Sequence, residues 1–498
     1  MTKAGSMHPE ETPSAKTLAH LFAAQKEAFR RTAPSPCGQR IEALRTLKSA
    51  LLRHRSEFVD ALNADFGNRA RQETELLEIV PIIEEIRHIK RRLRGWMRPR
   101  SAFASWPLLP SRTRIVHQPL GVVGIVGAWN YPLYLTLSPL TNALAAGNHA
   151  MVKPSELAPN TAVLIARMVA ETFPSEQVTV IKGGPETAEA FTALPFDHLL
   201  FTGSSRVGKL VMGAASNNLT PVTLELGGKS PALVHAEFSQ AIAADRICSA
   251  KLLNAGQTCV APDYALVAKA QAEHFVAATE RSIARRYPSL LANADYTRMI
   301  DATAWQRMAA LVEDAGSKGA RVVRINPAGE DSMPENRVFP PTLLLDVDAS
   351  MQAMQEEIFG PVLPIMTYGS LDEAIAIIED RPRPLALYYF DNNAGRIRHV
   401  LEHTTSGGMT VNDCMLHVAD SRLPFGGVGS SGMGAYHGRT GFATFSHRKG
   451  VLLESGLTGR LLDRMLRPPY GRTFDRLVRF LTGTSNGPDQ KSDAVSPQ

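Results

Sequence analysis

Cys259 stands in the stretch NAGQTCVAPDY, preceded by small, polar and Gly-containing residues and followed closely by Pro262. A thiol in such a setting can act as a nucleophile if it is reachable and a nearby donor or cation favours the thiolate. Cysteine is also among the most buried residue types, so an inert core thiol is the competing reading. Glu225, in TLELGGKSP, is an acid inside an apolar strand pattern and just before a Gly pair. Burial there would raise its pKa toward the range of a general base. On the outer face of a strand it would be an ordinary surface acid. VKPSE places Lys153 and Glu156 at a strand end, where they can meet ribose hydroxyls. A carboxylate there favours NAD, because it repels a 2′-phosphate. Taken alone, the two also read as surface residues. FTGSSRVGK combines a strand end, a turn and a helix start. Gly203 and Gly208 permit close backbone approach, and the helix N-terminus can face a phosphate. The segment is not GxGxxG, so an ordinary strand-to-helix turn stays open as an alternative.

These residues need elements to position them. Residues 1–16 read as a disordered tail. From Thr17 to about Arg98 the pattern is helical: Leu18, Leu21 and Phe22 open an apolar stripe, and Ile41, Leu44, Leu47, Leu51 and Leu52 carry one in the next helix. Pro99–Ser111 breaks that stretch. Strand-type runs follow in GVVGIVGAWN, HAMVKPSE, VTVIKGG and HLLFTGS, with helical stretches at Asn160–Phe173 and Glu186–Leu194. Strands alternating with helices predict βαβ units and a mostly parallel sheet. Ligands bind such sheets at the carboxyl ends of the strands. After Gly227 the pattern recurs: PALVHA, a helix over Phe238–Asn254, YALVAKA, a helix over Ala270–Tyr287 and TLLLDV. The expected fold is therefore α/β, with two parallel-sheet domains.

Composition narrows the function classes. With 498 residues, 44% hydrophobic and 20% charged, the chain matches a globular enzyme of two or three domains. The net charge of +6 is uneven: Ile86–Arg114 holds nine basic residues and no acid. No recognition motif accompanies that charge, so nucleic-acid binding is not expected. A solvated face, or pairing with the acidic stretch Glu73–Glu85, accounts for it. Cys37, Cys248, Cys259 and Cys414 form no CxxC pair and no zinc spacing, so neither a metal nor a disulfide is expected. A reduced, cytoplasmic setting fits best. No signal peptide or spanning segment is read. Phe474, Leu477, Val478 and Leu481, interleaved with Arg472, Arg476 and Arg479, predict a basic amphipathic helix in a C-terminal tail over 452–498. Such a helix can pack within a dimer, the favoured reading, or lie on an anionic membrane surface.

Seven segments in order, PLGVVGIVGAWNYP, VKPSE, FTGSSRVGK, LELGGKSP, GQTCVAPDY, EEIFGPVLP and LPFGGVGSSGMG, resemble the motifs of the aldehyde dehydrogenase superfamily. The spacing between Glu225 and Cys259 agrees with the family's. The resemblance runs from about Leu18 to about Val451. GMGAYHGRTGFATFSHRKGV, with RHIKRRLRGWMRPR and NDCMLHVAD, resembles the class 3 branch and, within it, the bacterial coniferyl aldehyde dehydrogenases. One departure is Ala128, where most of the family has Pro.

The resemblance implies two Rossmann-like domains. A cofactor-binding domain would span 17–225, including a bridging arm near 99–119. A catalytic domain would span 226–422, with the chain returning to the cofactor domain over 423–451. Arm and tail would serve a homodimer. Cys259 would attack an aldehyde, and the Asn130 side-chain amide with the Cys259 backbone N–H would hold the oxyanion. Glu225 would activate water against the thioester. Lys153 and Glu156 would hold the adenine ribose of NAD, with NADP also accepted. Gly203, Ser204 and Gly208 would lie near the pyrophosphate. Glu357 would hold the nicotinamide ribose, with Phe359 beside the ring. Tyr131, His417 and Phe425, together with Phe359, would line the aldehyde tunnel. Acyl transfer to coenzyme A, or an idle binding protein on the same fold, are the alternatives; the presence of Glu225, Cys259 and Asn130 disfavours both.

Overall fold

The computed structural model describes residues 13–32, 34–102, 105, 108–456, 458–460 and 467–483. Its helices begin at Ala15–Thr32, so the tail expected over 1–16 falls outside the described residues up to residue 12 and is already helical from Ala15. Leu18 and Phe22 are buried as the stripe requires. In Cys37–Arg53 the stripe leucines Leu44, Leu47 and Leu51 are buried, with Arg40 and Ala50, while Leu52 is 45% exposed. Adjacent helical residues point about 100° apart, so Leu51 and Leu52 cannot both face the core.

Among the described residues there are three sheets. The strands in chain order are β1 (Arg100–Ala102), β2 (Arg112–Pro119), β3 (Val122–Val126), β4 (His149–Lys153), β5 (Val178–Val180), β6 (His198–Thr202), β7 (Val222–Glu225) and β8 (Pro231–Val234). They continue as β9 (Tyr264–Ala268), β10 (Arg321–Arg324), β11 (Thr342–Leu345), β12 (Val362–Tyr368), β13 (Ala386–Phe390), β14 (Gly408–Val411), β15 (Gly432–Met433) and β16 (Ser446–Leu453). A six-stranded sheet runs β15-β7-β6-β3-β4-β5 and a seven-stranded sheet runs β10-β11-β12-β9-β8-β13-β14. Each is parallel except at one edge, where β15 meets β7 and β10 meets β11 antiparallel. β3, β4, β6, β8, β9, β11 and β13 are buried almost throughout, as apolar strands covered on both faces by helices must be.

By its contacts the chain divides into two units. One comprises 1–96 and 118–447 and holds both large sheets. The other comprises 97–117 and 448–498. It is built on the small sheet β1-β2-β16 and contains the helix Arg472–Thr482, none of whose residues is buried. Among the described residues no helix is long and apolar enough to cross a membrane.

Candidate active site

In the first sheet the strand order reverses beside β3: β4 and β5 lie on one side, β6 and β7 on the other. In such sheets the crevice beyond the carboxyl ends of the strands, at this reversal, is where dinucleotides bind. Five of the residues proposed from sequence for the cofactor, Lys153, Glu156, Gly203, Ser204 and Gly208, stand at or just beyond these strand ends. Lys153 ends β4; its side chain is 2% exposed, and its Nζ donates to Glu156 Oε2 at 3.0 Å. Glu156 is 41% exposed, which leaves its carboxylate open to a ligand. Gly203 follows β6 and donates its N–H to the Glu225 carbonyl at 3.0 Å. Ser204 caps the helix Ser205–Ser216, and Gly208 in that helix packs on the Leu226 side chain. A helix opening directly beyond a strand end, at a topological switch, is a fit for a pyrophosphate.

The loop after β3 carries Ala128, Trp129 and Asn130 into the helix Tyr134–Ala146. Asn130 is 3% exposed. Its Nδ2 donates to the Gln257 carbonyl at 3.1 Å, and its own backbone carbonyl accepts from Asn254 Nδ2 at 2.9 Å. The amide is thereby tied to the segment that bears Cys259.

That segment, between the helix Gln240–Leu252 and β9, has an unusual backbone. Asn254, Ala255 and Gly256 have φ of 52°, 53° and 74°, three left-handed residues in succession. At Gly256 a Cβ would lie 2.3 Å from the Gly360 carbonyl oxygen, so only Gly fits. Such a turn persists because its surroundings over-determine it. Glu73 Oε2 accepts from the Asn254 N–H at 3.0 Å. Gln257 is held through Asn254 O, Arg298 O and the Ile300 N–H. Cys259, two residues on, is half-buried and lines a cavity of about 390 Å³. Burial, then the charges of Glu357 and Glu225, push its thiol up to about 12.

Glu225 closes β7, is 3% exposed, and neither carboxylate oxygen has a hydrogen-bond partner among the described residues. Burial pushes its carboxyl well above the usual range. A buried acid without partners is costly and therefore has the character of a functional group rather than a structural one. Glu357 arrives from the opposite side. A Cβ on Gly227 would lie 1.9 Å from its Oε2, so the carboxylate rests against the linker that leaves β7. Burial, then Asp263, push it up to about 8. Phe359 has φ 52°, and its ring meets that of Trp129 edge-on at 5.4 Å.

The cavity wall is mainly apolar and includes Tyr131, Tyr134, Val260, Met415 and Phe425. His417 is not among the lining residues. Its Nδ1 lies 2.8 Å from Thr410 Oγ1, its ring packs on Tyr388, and burial pushes its pKa down to about 4. Phe359 likewise lies outside this lining.

A family model described as the aldehyde dehydrogenase family matches residues 10–451. The chain belongs to the aldehyde dehydrogenase family. It is 45% identical over 461 residues to a protein of Pseudomonas aeruginosa named probable coniferyl aldehyde dehydrogenase, covering 93% of this chain and 95% of that one. The solved structure of substrate-bound Staphylococcus aureus AldH is 39% identical, with a TM-score of 0.86 over 93% of this chain and 99% of that one. A Mycobacterium tuberculosis aldehyde dehydrogenase complexed with NAD+ is 28% identical, with a TM-score of 0.80 over 89% of this chain and 92% of that one. The enzyme is thus an NAD(P)-dependent oxidoreductase acting on aldehydes.

Other residues of this aldehyde dehydrogenase were not singled out by the sequence. The acidic stretch Glu73–Glu85 mostly does not neutralise the basic stretch that follows it. Among the described residues only Glu84 reaches it, through Arg87; Glu75 pairs with Arg55 and Arg71. Glu73, Glu78 and Glu85 are instead buried and bond to groups distant in sequence. Glu78 accepts from the Leu133 and Tyr134 N–H groups at 2.8 and 3.1 Å. Glu85 accepts from Ser138, Asn142 and the Gly438 N–H. Arg69, also buried, donates to the Asn130 carbonyl at 3.2 Å. The available signal was acids recurring within an apolar helical pattern. His437, in the GMGAYHGRT segment, stacks on Phe425 and meets Tyr134 Oη at 2.7 Å, which places that segment directly behind the cavity wall.

Proposed function

We propose that Cys259 is the nucleophile, Glu225 the general base and Asn130 an oxyanion donor in oxidation of an aldehyde to its acid. One observation carries this reading: a half-buried thiol lines an apolar cavity, and a buried carboxylate without partners lies close enough to act on its charge. The Cys259 sulfur, as the thiolate, bonds to the aldehyde carbon as the C=O π pair moves onto oxygen. The developing oxygen charge meets the Asn130 amide, whose second N–H is not taken by Gln257, and the Cys259 backbone N–H; one such donor contributes about 3 kcal/mol. Bound NAD(P) supplies the acceptor for the hydrogen and electrons that leave that carbon. Lys153, Glu156, Gly203, Ser204, Gly208, Glu357 and Phe359 would hold it. Cys259 is left as a thioester, and Glu225 takes a proton from water so that hydroxyl adds to the acyl carbon, the C–S bond breaks with its electron pair returning to the Cys259 sulfur, and the acid departs. With Glu225 in place, hydrolysis is favoured over transfer to coenzyme A. Product analysis with and without coenzyme A tests this.

The cofactor preferred is NAD, because Glu156 presents a carboxylate where NADP carries a phosphate. The substrate is a flat or extended apolar aldehyde of the coniferaldehyde, benzylic or medium-chain type. The aromatic and aliphatic cavity wall supports it, as does the likeness to a protein named for coniferyl aldehyde. The assembly is a homodimer. The small sheet and the helix Arg472–Thr482 of the second unit, none of whose residues is buried, offer the surface for it. Contact of that helix with an anionic membrane surface is the disfavoured alternative; sedimentation with and without such vesicles separates the two. The compartment is cytoplasmic, consistent with four free cysteines.

A further inference from the structure

Two motif residues have no role in the chemistry above: Lys229 in LELGGKSP and Asp263 in CVAPDY. They form an ion pair with side chains 9% and 4% exposed. We propose that the Lys229–Asp263 pair is the positioning device for the Glu357 carboxylate and thereby sets the affinity for the dinucleotide. This rests on the reading that Glu357 holds the nicotinamide ribose.

An ammonium has three donors, and each is spent on this one task. Lys229 Nζ donates to Asp263 Oδ2, to the Ala353 carbonyl at 2.7 Å and to the Glu356 carbonyl at 3.0 Å. Asp263 uses its other oxygen, Oδ1, to accept from the Ile358 N–H at 2.9 Å. The backbone is therefore gripped on both sides of Glu357, at 356 and at 358, by the two halves of one pair. Arg307 holds the Glu357 and Ile358 carbonyls from a third direction, each at 2.5 Å. The next residue, Phe359, has a left-handed φ of 52°, a conformation that costs free energy unless the surroundings enforce it.

The pair also sets what the carboxylate rests on. Lys229 stands two residues beyond Gly227, where a Cβ would collide with Glu357. Asp263 stands four residues beyond Cys259 and immediately before β9, and its N–H donates to the Ser230 carbonyl at 2.7 Å. The linker from the first sheet, the exit from the nucleophile loop and the carboxylate loop thus meet at one buried contact. Both charges are felt at Glu357: Asp263 pushes its carboxyl up and Lys229 pulls it down. A buried pair whose remaining donors and acceptors are all satisfied defines a geometry, and removing one partner leaves a buried charge to rearrange.

The experiment is a thermodynamic cycle on NAD binding, read by calorimetry, with Cys259 alkylation as a second readout independent of turnover. Lys229→Met and Asp263→Asn are expected to weaken NAD binding by about tenfold or more, and Glu357→Gln is expected to do the same. Combining either with Glu357→Gln is expected to add less than twofold, because both changes remove the same interaction. KM for NAD rises more than kcat falls, and Lys229→Arg, which keeps the charge but not the three-way geometry, recovers part of the affinity. Thermal midpoints are measured alongside; if Lys229→Met does not fold, Lys229→Arg and Asp263→Asn carry the cycle. Additive effects would overturn the proposal, as would unchanged NAD affinity in Lys229→Met when Glu357→Gln is weakened. If Glu357→Gln itself binds NAD normally, the ribose role of Glu357 falls, and the pair's role falls with it.

Discussion

Arg69 and Glu78 form an ion pair 2.8 Å long in which neither side chain is exposed at all. The pair links Asn130, through the Arg69 hydrogen bond to its carbonyl, with the start of the helix Tyr134–Ala146, through the two N–H groups that Glu78 accepts. The guanidinium also lies over the Phe66 and Tyr131 rings, at 4.8 and 4.9 Å.

Removing one partner of this pair strands a buried charge. Arg69→Met or Glu78→Gln is expected to cost roughly 3–5 kcal/mol, and the double variant less than the sum. Denaturant unfolding measures it, and two independent effects that simply add would contradict the pairing. Among variants that fold, kcat is expected to fall as well, because Asn130 is left with one anchor fewer.

Cys259→Ala is expected to abolish turnover while NAD still binds. Glu225→Gln is expected to release one equivalent of reduced cofactor and then stall, with steady-state kcat down roughly 10²–10⁴-fold. Rapid mixing with acid quench reads both. Full steady-state activity in either variant would remove the proposed mechanism.

Glu225 also gives a pH dependence. Its folded carboxyl is raised above the unfolded value, so its contribution to stability is complete below the unfolded pKa and is lost as pH rises through the folded one. Relative to the parent, Glu225→Gln is therefore expected to gain stability as pH rises, read as a growing difference in Tm. The Cys259 thiol, pushed up to about 12 partly by the Glu225 charge, is expected to alkylate faster in Glu225→Gln at a fixed alkaline pH. A Tm difference that shrinks with pH would contradict the assignment.

Glu156→Gln is expected to narrow the preference for NAD over NADP by about tenfold, equal to about 1.4 kcal/mol. Initial rates with both cofactors decide it. A parent enzyme that favours NADP at equal concentration would reverse the prediction.

Coniferaldehyde, benzaldehyde and octanal are expected to exceed acetaldehyde in kcat/KM. Each apolar group that the smaller aldehyde lacks should cost it about 1–3 kcal/mol, or roughly 10–200-fold. Acetaldehyde as the best substrate would mean that the cavity walled by Tyr131, Val260, Met415 and Phe425 is not the aldehyde's path.

Much of this protein was legible in its sequence. The two α/β sheets follow from apolar runs alternating with helical stripes, because strand and helix periodicities are local properties of the chain. The thiol, the acid and the strand-end residues were singled out by their own neighbourhoods in the chain. What only the tertiary structure decided depends on partners far away in sequence. Asn130 is tied to Gln257, and Glu78 is paired with Arg69 rather than with the basic stretch beyond it. Leu52 is turned outward beside a buried Leu51, β10 and β15 run antiparallel at their edges, and His417 stays off the cavity wall that its neighbours Met415 and Leu416 help to line. Periodicity specifies that a face is buried. Which side chain fills which space, and which charge a buried acid meets, is settled only when segments distant in sequence are packed together and each buried polar group has to find a donor or acceptor there.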